Sequence, residues 1–447
     1  MCSLFAIQLS TLAAEKLPNF VIIFLDDAGW GDYNTFQKTK YPTPHVDKLA
    51  EEGTKFTQFY VPQAVCSASR AALLSGCYPG RTGVVGAHGP NGRGLEPKFA
   101  TIAEVLKKKN YATAHYGKWH CGDQPETRPL ARGFDKHVGL MYSNDMWRYH
   151  PTNPKKWSKF PLQFWDNGKV TIEDMEKEDQ KNMTKWATEN AVNFISENKD
   201  KPFFLYVAHP MPHVPLFCSD EFKGKSGQGL YGDVTMEIDW SVGRINQALK
   251  DNGLEENTMI IFSSDNGPWS GYGNHAGVTP FRNAKATGFD GGIRSPLIIK
   301  YPSKIPANKE SKKVFCSIDI HPTIAALAET QPANEIDGKN ILSLMASEPN
   351  AKPAHKYYAF STLRSFEGVM SGDGRWKLHL PHNYRKAVEP ANEGAGGKYK
   401  TFSIELSLFD MKNDPYEKVN VINKYPEIAS ELQKFAQQHK TKFWSKK

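Results

Sequence analysis

Two stretches of the chain end a hydrophobic run in a pair of oxygen-bearing side chains. One is FVIIFLDD, closing on Asp26 and Asp27; the other is MIIFSSDN, closing on Asp265 and Asn266. Short uninterrupted apolar runs read as strands buried on both faces. Ligands in open α/β sheets gather beyond the carboxyl ends of strands, so two such ends can converge on one point. Three carboxylates and an amide brought together would repel one another and lose hydration, and an uncompensated buried ion costs several kcal/mol. A hard divalent cation offsets that cost, and all-oxygen ligation favours Ca²⁺ or Mg²⁺ over zinc. Turn or capping roles for Asp27 and Asp265 are the alternative reading.

A third signal is Cys66-Ser67-Ala68-Ser69-Arg70, running into AALLSG. Ala71–Leu74 suit a helix, with Gly76 as its stop. Cys66 then lies at a helix N-terminus, where free N–H groups and the dipole attract anions. Arg70 falls on the same face. On these residues alone, Cys66 is either a reactive thiol or an inert buried one.

The elements that must position these groups follow from apolar patterning. Phe20–Leu25, Phe203–Val207, Met259–Phe262 and Leu297–Ile299 read as buried strands. Helical segments alternate with them. Thr101–Lys109 precedes the strand-like Tyr111–Tyr116, and Asp233–Lys250 sets Ile238, Val242, Ile245 and Leu249 on one face before the stop at Gly253. The alternation predicts a three-layer α/β/α sandwich. Ser303–Lys313 reads as a polar loop, and Ser347–Lys356, with its prolines, as a separator between domains. Beyond it, Gly368–His379 (turning at Asp373-Gly374) and Leu406–Phe409 suit antiparallel strands, and Pro426–Gln438 a closing helix. Ala391–Gly397 is a glycine-rich loop. The expected organisation is an export signal at 1–14, a catalytic domain at 15–350 and an antiparallel α+β subdomain at 351–447.

The chain has 447 residues, 39% of them hydrophobic, enough for one large domain and a smaller one. Its formal net charge of +8 suits an anionic ligand only weakly, and no Lys/Arg run resembles a nucleic-acid patch. Six cysteines without a CxxC pair exclude a disulfide scaffold and structural zinc, while allowing one or two disulfides of unassigned pairing. Residues 1–14, MCSLFAIQLSTLAA, read as the apolar region and cleavage end of a secretory signal without its basic leading region, as at a truncated start. That stretch is shorter than the ~20 apolar residues a membrane span needs. A secreted or periplasmic location follows, with no integral membrane span.

CSASR followed by AALLSG resembles the sulfatase signature C-x-[PA]-x-R, in which the cysteine is oxidised to formylglycine. GKWH at Gly117–His120, RGFD at Arg132–Asp135, SDNG at Ser264–Gly267 and GFDGGIR at Gly288–Arg294 resemble further motifs of that family, in family order. The likeness covers about residues 18–300 and continues weakly to LFDMKNDPYEKVNV. It is strongest to the branch holding arylsulfatase A and N-acetylgalactosamine-6-sulfatase. The resemblance implies an alkaline-phosphatase-like α/β/α sandwich and hydrolysis of a sulfate ester through a formylglycine-sulfate intermediate. Cys66 would be the formylglycine, and Asp26, Asp27, Asp265 and Asn266 would join it in holding one calcium ion. Arg70 and Lys118 would steady the nucleophile and the sulfate, and His120 would be the base that expels sulfate. His213, in PHVP, matches a histidine that contacts sulfate and protonates the leaving oxygen. His209, which also follows a strand, ranks second because the His-x-Pro context belongs to His213. Lys285 matches the lysine before the F-[DE]-G-G-x-R element, where neighbouring glycines permit close ligand approach. A formylglycine-generating maturation enzyme is an implied partner.

Three positions depart from the family pattern. Ala68 stands where proline is common, Cys121 replaces leucine after His120, and Ala286 replaces glycine after Lys285. Tyr142–His150 and Leu378–Arg385 are rich in aromatic and hydrogen-bonding groups and suit a sugar-binding rim, which points to a sulfated carbohydrate. Competing readings are a phosphate or phosphonate ester hydrolase of the same superfamily and a non-catalytic binder of sulfated glycans.

Overall fold

The computed structural model describes residues 16–150, 153–269, 279–389, 391 and 397–445. The expected signal at 1–14 and most of the glycine-rich loop lie outside the described residues. The chain builds an 11-stranded mixed sheet. Its strands are β1 (Asn19–Leu25), β2 (Thr54–Tyr60), β3 (Ala112–Lys118), β4 (Lys136–Leu140), β5 (Phe164–Asp166), β6 (Lys169–Ile172), β7 (Phe203–Ala208), β8 (Thr258–Ser264), β9 (Arg294–Lys300), β10 (Lys309–Ser311) and β11 (Phe315–Cys316). The order is β10-β2-β9-β8-β1-β7-β3-β4-β5-β6, with β11 also on β2.

All residues of β1 are buried. Phe20, Ile22 and Phe24 enter one core and Val21, Ile23 and Leu25 the other, as the period of two requires. Each such side chain withdrawn from water contributes about 1.5–3 kcal/mol. The first core is closed by α2 (Cys66–Ser75), α3 (Ile102–Lys107) and α6 (Ile320–Leu327). The second is closed by α1 (Pro44–Glu51), α4 (Met183–Glu197) and α5 (Gly229–Asp251). This is the expected sandwich. The capping box of α3 pairs Thr101 with Glu104. In α5 the expected Ile238, Val242, Ile245 and Leu249 are buried, and the helix begins one turn earlier than the pattern indicates.

A four-stranded antiparallel sheet follows: β12 (Tyr357–Thr362), β13 (Ser365–Ser371), β14 (Trp376–His379) and β17 (Ser407–Asp410). A separate two-stranded sheet joins β15 (His382–Glu389) to β16 (Lys398–Ile404). Helix α7 (Pro426–Phe443) packs on β12, β13 and β14, and its Leu432 and Ala436 share the first core with Val369 and Leu378.

The topology decides where chemistry can collect. Strands β8, β1, β7 and β3 are mutually parallel neighbours. Their carboxyl ends, carrying Asp265, Asp26, the 209–213 segment and Lys118, therefore share one edge. Strand β9 runs antiparallel to β8 and to β2. Hence the segment entering β9, with Lys285, and the segment leaving β2, with Cys66, reach that same edge.

Candidate active site

Asp26 and Asp27 follow β1 directly, and Asp265 and Asn266 follow β8, whose Ser264 lies in register with Leu25. Asp27 holds a φ of 66°, the left-handed region, which turns the chain sharply as it leaves the sheet. Its backbone N–H donates to Asp265 Oδ1 at 3.2 Å, and Asn266 Nδ2 donates to Asp27 Oδ1 at 2.7 Å. Ser264 Oγ accepts from Ala28 N and donates to the Asn266 carbonyl, each at 3.0 Å, and so clamps the two strand ends together. All four side chains are buried.

Cys66 opens α2. The residue before it is extended and supplies no side-chain cap, and Gly76 ends the helix at a φ of 68°. The start is tied down from outside: Ser67 Oγ accepts His88 N at 2.9 Å, and Gly86 N donates to Gln63 Oε1 at 2.5 Å. Burial, and then the charge of Asp26, push the Cys66 thiol well above its ordinary value. It therefore stays a neutral thiol, which is a poor nucleophile.

Cations close the cluster. Arg70 is fully buried; its Nε donates to Asp265 Oδ2 at 3.0 Å and its terminal nitrogen to the Lys118 carbonyl at 3.1 Å. Lys118 pairs with Asp26 Oδ2 and donates to Ser143 Oγ at 3.0 Å. Lys285 Nζ lies 2.7 Å from Asp27 Oδ1 and 3.3 Å from Cys66 Sγ. Burial pushes the Asp26 carboxyl up, but Lys118 first, then His213, Arg70 and Lys285, outweigh it and hold that carboxyl well below the usual range. Asp265 is driven upward, by burial and by the Asp26 charge beside it.

A cavity of about 270 Å³ opens over this cluster, lined among others by Cys66, His120, His213 and Lys285. Arg70 and Lys118 are fully buried among the carboxylates and do not line it. His120 Nε2 lies 2.7 Å from the His88 carbonyl, so Nε2 carries the hydrogen and Nδ1 keeps a lone pair that no protein group engages. Burial, then Lys118, hold its pKa well below 6.5, so the ring is neutral. His120 also sits at a φ of 54°, the kind of backbone strain that accompanies functional sites. His213 Nδ1 bonds the Val214 carbonyl, and Nε2 stands 3.6 Å from Asp27 Oδ2. His209 instead faces Ser241 Oγ of α5 at 3.0 Å, outside the cavity lining.

The oxygens of Asp26, Asp27 and Asn266 suit a hard cation, whereas Asp265, whose carboxylate is taken up by Arg70 and the Asp27 N–H, does not fall in the tightest group of donors. Asp26 Oδ1 and Asn266 Oδ1 are buried with no hydrogen-bond partner. Ligand atoms of Asp26, Asp27, Cys66 and His213 all lie within 4.8 Å of one another. Leaving such oxygens unpartnered costs about 1–3 kcal/mol each.

Some contributors escape the sequence signals. Ser143 holds Lys118, and the His88 carbonyl holds His120. The first lies in the Tyr142–His150 segment, of which Asp145, Met146 and His150 line the cavity. The second acts through its backbone and leaves no side-chain signal beyond the glycine-rich HGPNGRG run. Leu378–Arg385 does not line this cavity. RGFD is structural: Arg132 pairs with Glu104 at 3.0 Å, and Asp135 accepts Thr113 N at 3.0 Å, tying α3 to β3. The described cysteines are all free. No helix among the described residues is long and apolar enough to cross a membrane.

Residues 18–330 match the family model described as Sulfatase, and residues 284–379 match that described as N-sulphoglucosamine sulphohydrolase, C-terminal. The chain is 33% identical to arylsulfatase A of Bos taurus over 94% of its own length and 86% of the relative's. It is 31% identical to N-acetylgalactosamine-6-sulfatase of Rattus norvegicus, over 97% and 87% respectively. Among solved structures, the PsFucS1 sulfatase from Pseudoalteromonas sp. superposes with a TM-score of 0.84 at 24% identity, covering 97% of this chain and 92% of that one. With the fold, the motifs and the family match in accord, the chain belongs to the sulfatase family and is a sulfuric ester hydrolase.

Proposed function

We propose that the chain hydrolyses the sulfate ester of a sulfated carbohydrate at the cavity over Cys66, after Cys66 is oxidised to formylglycine by a maturation enzyme. The observation that carries this reading is the set of donors from Asp26, Asp27, Cys66 and His213 within 4.8 Å of one another, edged by Lys285 and His120. Asp26, Asp27, Asp265, Asn266 and residue 66 would hold one Ca²⁺; when bound it supplies Lewis-acid stabilisation of charge on a sulfate oxygen. Oxidised residue 66, whose hydrated aldehyde oxygens replace the Cys66 sulfur, supplies a hydroxyl that attacks sulfur as the ester alcohol departs.

The rest is done by fixed groups. Lys285, already 3.3 Å from Sγ, holds the nucleophilic oxygen in line with the sulfate. Arg70 and Lys118 cannot leave the cluster, so their positive charge is organised before any substrate arrives, and no reorganisation is needed as negative charge builds. Nδ1 of neutral His120 accepts the proton whose removal lets sulfate go. A proton taken up on His213 Nε2, beside Asp27, is passed to the departing alcohol oxygen. The relatives' names support a sugar sulfate, and the apolar start at 1–14 supports secretion or periplasmic export. The catalytic unit is assigned to residues 15–350 and the subdomain to 351–447.

Matched sulfate and phosphate monoesters of one sugar test this reading on matured protein. Sulfate release that exceeds phosphate release is the expected outcome. A large preference for phosphate, or sulfate turnover undiminished in Cys66→Ala, would refute it.

A further inference from the structure

A second cavity, of about 540 Å³, lies where the segment before Lys285 meets the β15–β16 sheet and the 416–418 loop. Its walls include Arg282, Asn283, Tyr384, Lys386, Tyr416 and Lys418. Arg282 is held rigidly. Its guanidinium donates to the Glu417 carbonyl at 2.6 Å and to Tyr384 Oη at 3.3 Å, and lies 4.0 Å over the Phe289 ring. Lys386 and Lys418 are exposed and make no ion pair among the described residues. The acidic side chain in the lining, Glu417, does not offset them. Its carboxylate is buried and turned to Lys377 and His379 at 2.9 and 3.0 Å. The cavity is thus cationic, with tyrosine rings that offer an apolar face and a polar tip.

Asn283 precedes Lys285 by two residues, so their Cα atoms are at most about 7 Å apart. Lys285 reaches Cys66 Sγ, and Asn283 Nδ2 donates to the Arg385 carbonyl at 3.2 Å, fastening this strip of chain to β15. Asn283 lines the second cavity and Lys285 the first, so the two cavities share this strip of chain. We infer that the Arg282–Lys386–Lys418 groove is a subsite for a second anionic sugar, sulfated or carboxylated, of an oligomeric substrate whose target sulfate lies over Cys66. The inference rests on the carbohydrate-sulfatase reading above.

The test uses the full chain. Binding of chondroitin 6-sulfate and iota-carrageenan hexasaccharides, and of unsulfated chondroitin hexasaccharide, is measured by calorimetry on Cys66→Ala and on the same protein carrying Lys386→Ala and Lys418→Ala. In parallel, p-nitrophenyl sulfate turnover is measured on matured protein with and without the two lysine changes. The expected result is a Kd for at least one sulfated hexasaccharide that weakens about tenfold without the lysines, equivalent to about 1.4 kcal/mol. Aryl sulfate turnover should stay unchanged. Equal binding with and without the lysines, or no binding of either sulfated hexasaccharide, overturns the subsite. Lysine-dependent binding with no sulfate release from the same hexasaccharides by matured protein would leave the subsite standing and remove the carbohydrate-sulfatase reading instead.

Discussion

Two buried clusters of charge hang from one short stretch of chain, Lys285 to Asp290, and they are finished differently. In the one beside the C-terminal sheet, Lys377 bridges Asp290 and Glu417 at 2.8 and 2.9 Å. The other Asp290 oxygen accepts Tyr60 Oη at 3.1 Å and Arg294 at 3.3 Å, and the other Glu417 oxygen accepts Asp290 N at 2.7 Å. Every carboxylate oxygen there is satisfied by protein, and the buried atom left without a hydrogen-bond partner is Nδ1 of His379, the ring that pairs with Glu417. In the cluster around Cys66, by contrast, Asp26 Oδ1 (3.7 Å from Arg70), Asn266 Oδ1 and His120 Nδ1 have no hydrogen-bond partner, though the burial is as complete. The first arrangement is closed and serves to join sheet to sheet. The second has donor capacity to spare, and a site for metal and substrate must have it.

Metal removal should break the contrast most sharply. Chelation with EGTA should abolish sulfate release and Ca²⁺ should restore it, with the melting temperature rising as free Ca²⁺ increases, because a ligand bound only by the folded state stabilises it. Activity and melting temperature both indifferent to chelator would mean that the open cluster is also closed. His120→Ala should lower kcat by about 10²–10⁴-fold. In the native protein the proton acceptor must be neutral, and burial and Lys118 keep its pKa well below 6.5. The neutral form therefore persists as the pH falls, and the acid limb assigned to His120 should lie below pH 6.5. A limb above 6.5 would contradict its placement.

Lys377→Met addresses the closed cluster. It leaves Asp290 and Glu417 buried without their shared cation and should destabilise the fold by about 3–5 kcal/mol. Turnover per folded molecule should be nearly unchanged, so a loss of kcat with intact stability would show the closed cluster to be catalytic. The smallest effect is expected at Ala286, which holds a φ of 64° where the family pattern has glycine. A left-handed non-glycine residue costs about 1–2 kcal/mol, partly offset by glycine's greater freedom when unfolded. Ala286→Gly should stabilise the protein by up to about 1 kcal/mol, measured by denaturant titration.

What the sequence reveals follows the same division. The strands ending in Asp26 and Asp265 are legible because burial on both faces leaves an uninterrupted apolar run, and their parallel pairing brings the expected acids together. Cys66, Arg70, Lys118, His120 and His213 gather at one edge because the strands they follow run parallel, and Lys285 joins them because β9 reverses direction, a topology that no local pattern encodes. The β15–β16 pair is missed because its residues are largely exposed and lack strict alternation. The closed cluster is missed because Lys377, Glu417 and Asp290 are far apart in the chain and individually look like surface charges. The support of His120 by His88 is carried by a carbonyl and has no residue type to read.

The nucleophile proposed for the open charge cluster is residue 66 once oxidised. Peptide mass spectrometry of the segment containing Cys66 gives the converted fraction in preparations made with and without a maturation enzyme, and sulfate release is measured on each. Turnover should be proportional to the formylglycine fraction, extrapolating to zero in plain-cysteine protein. Full turnover from protein in which residue 66 remains a cysteine would contradict it.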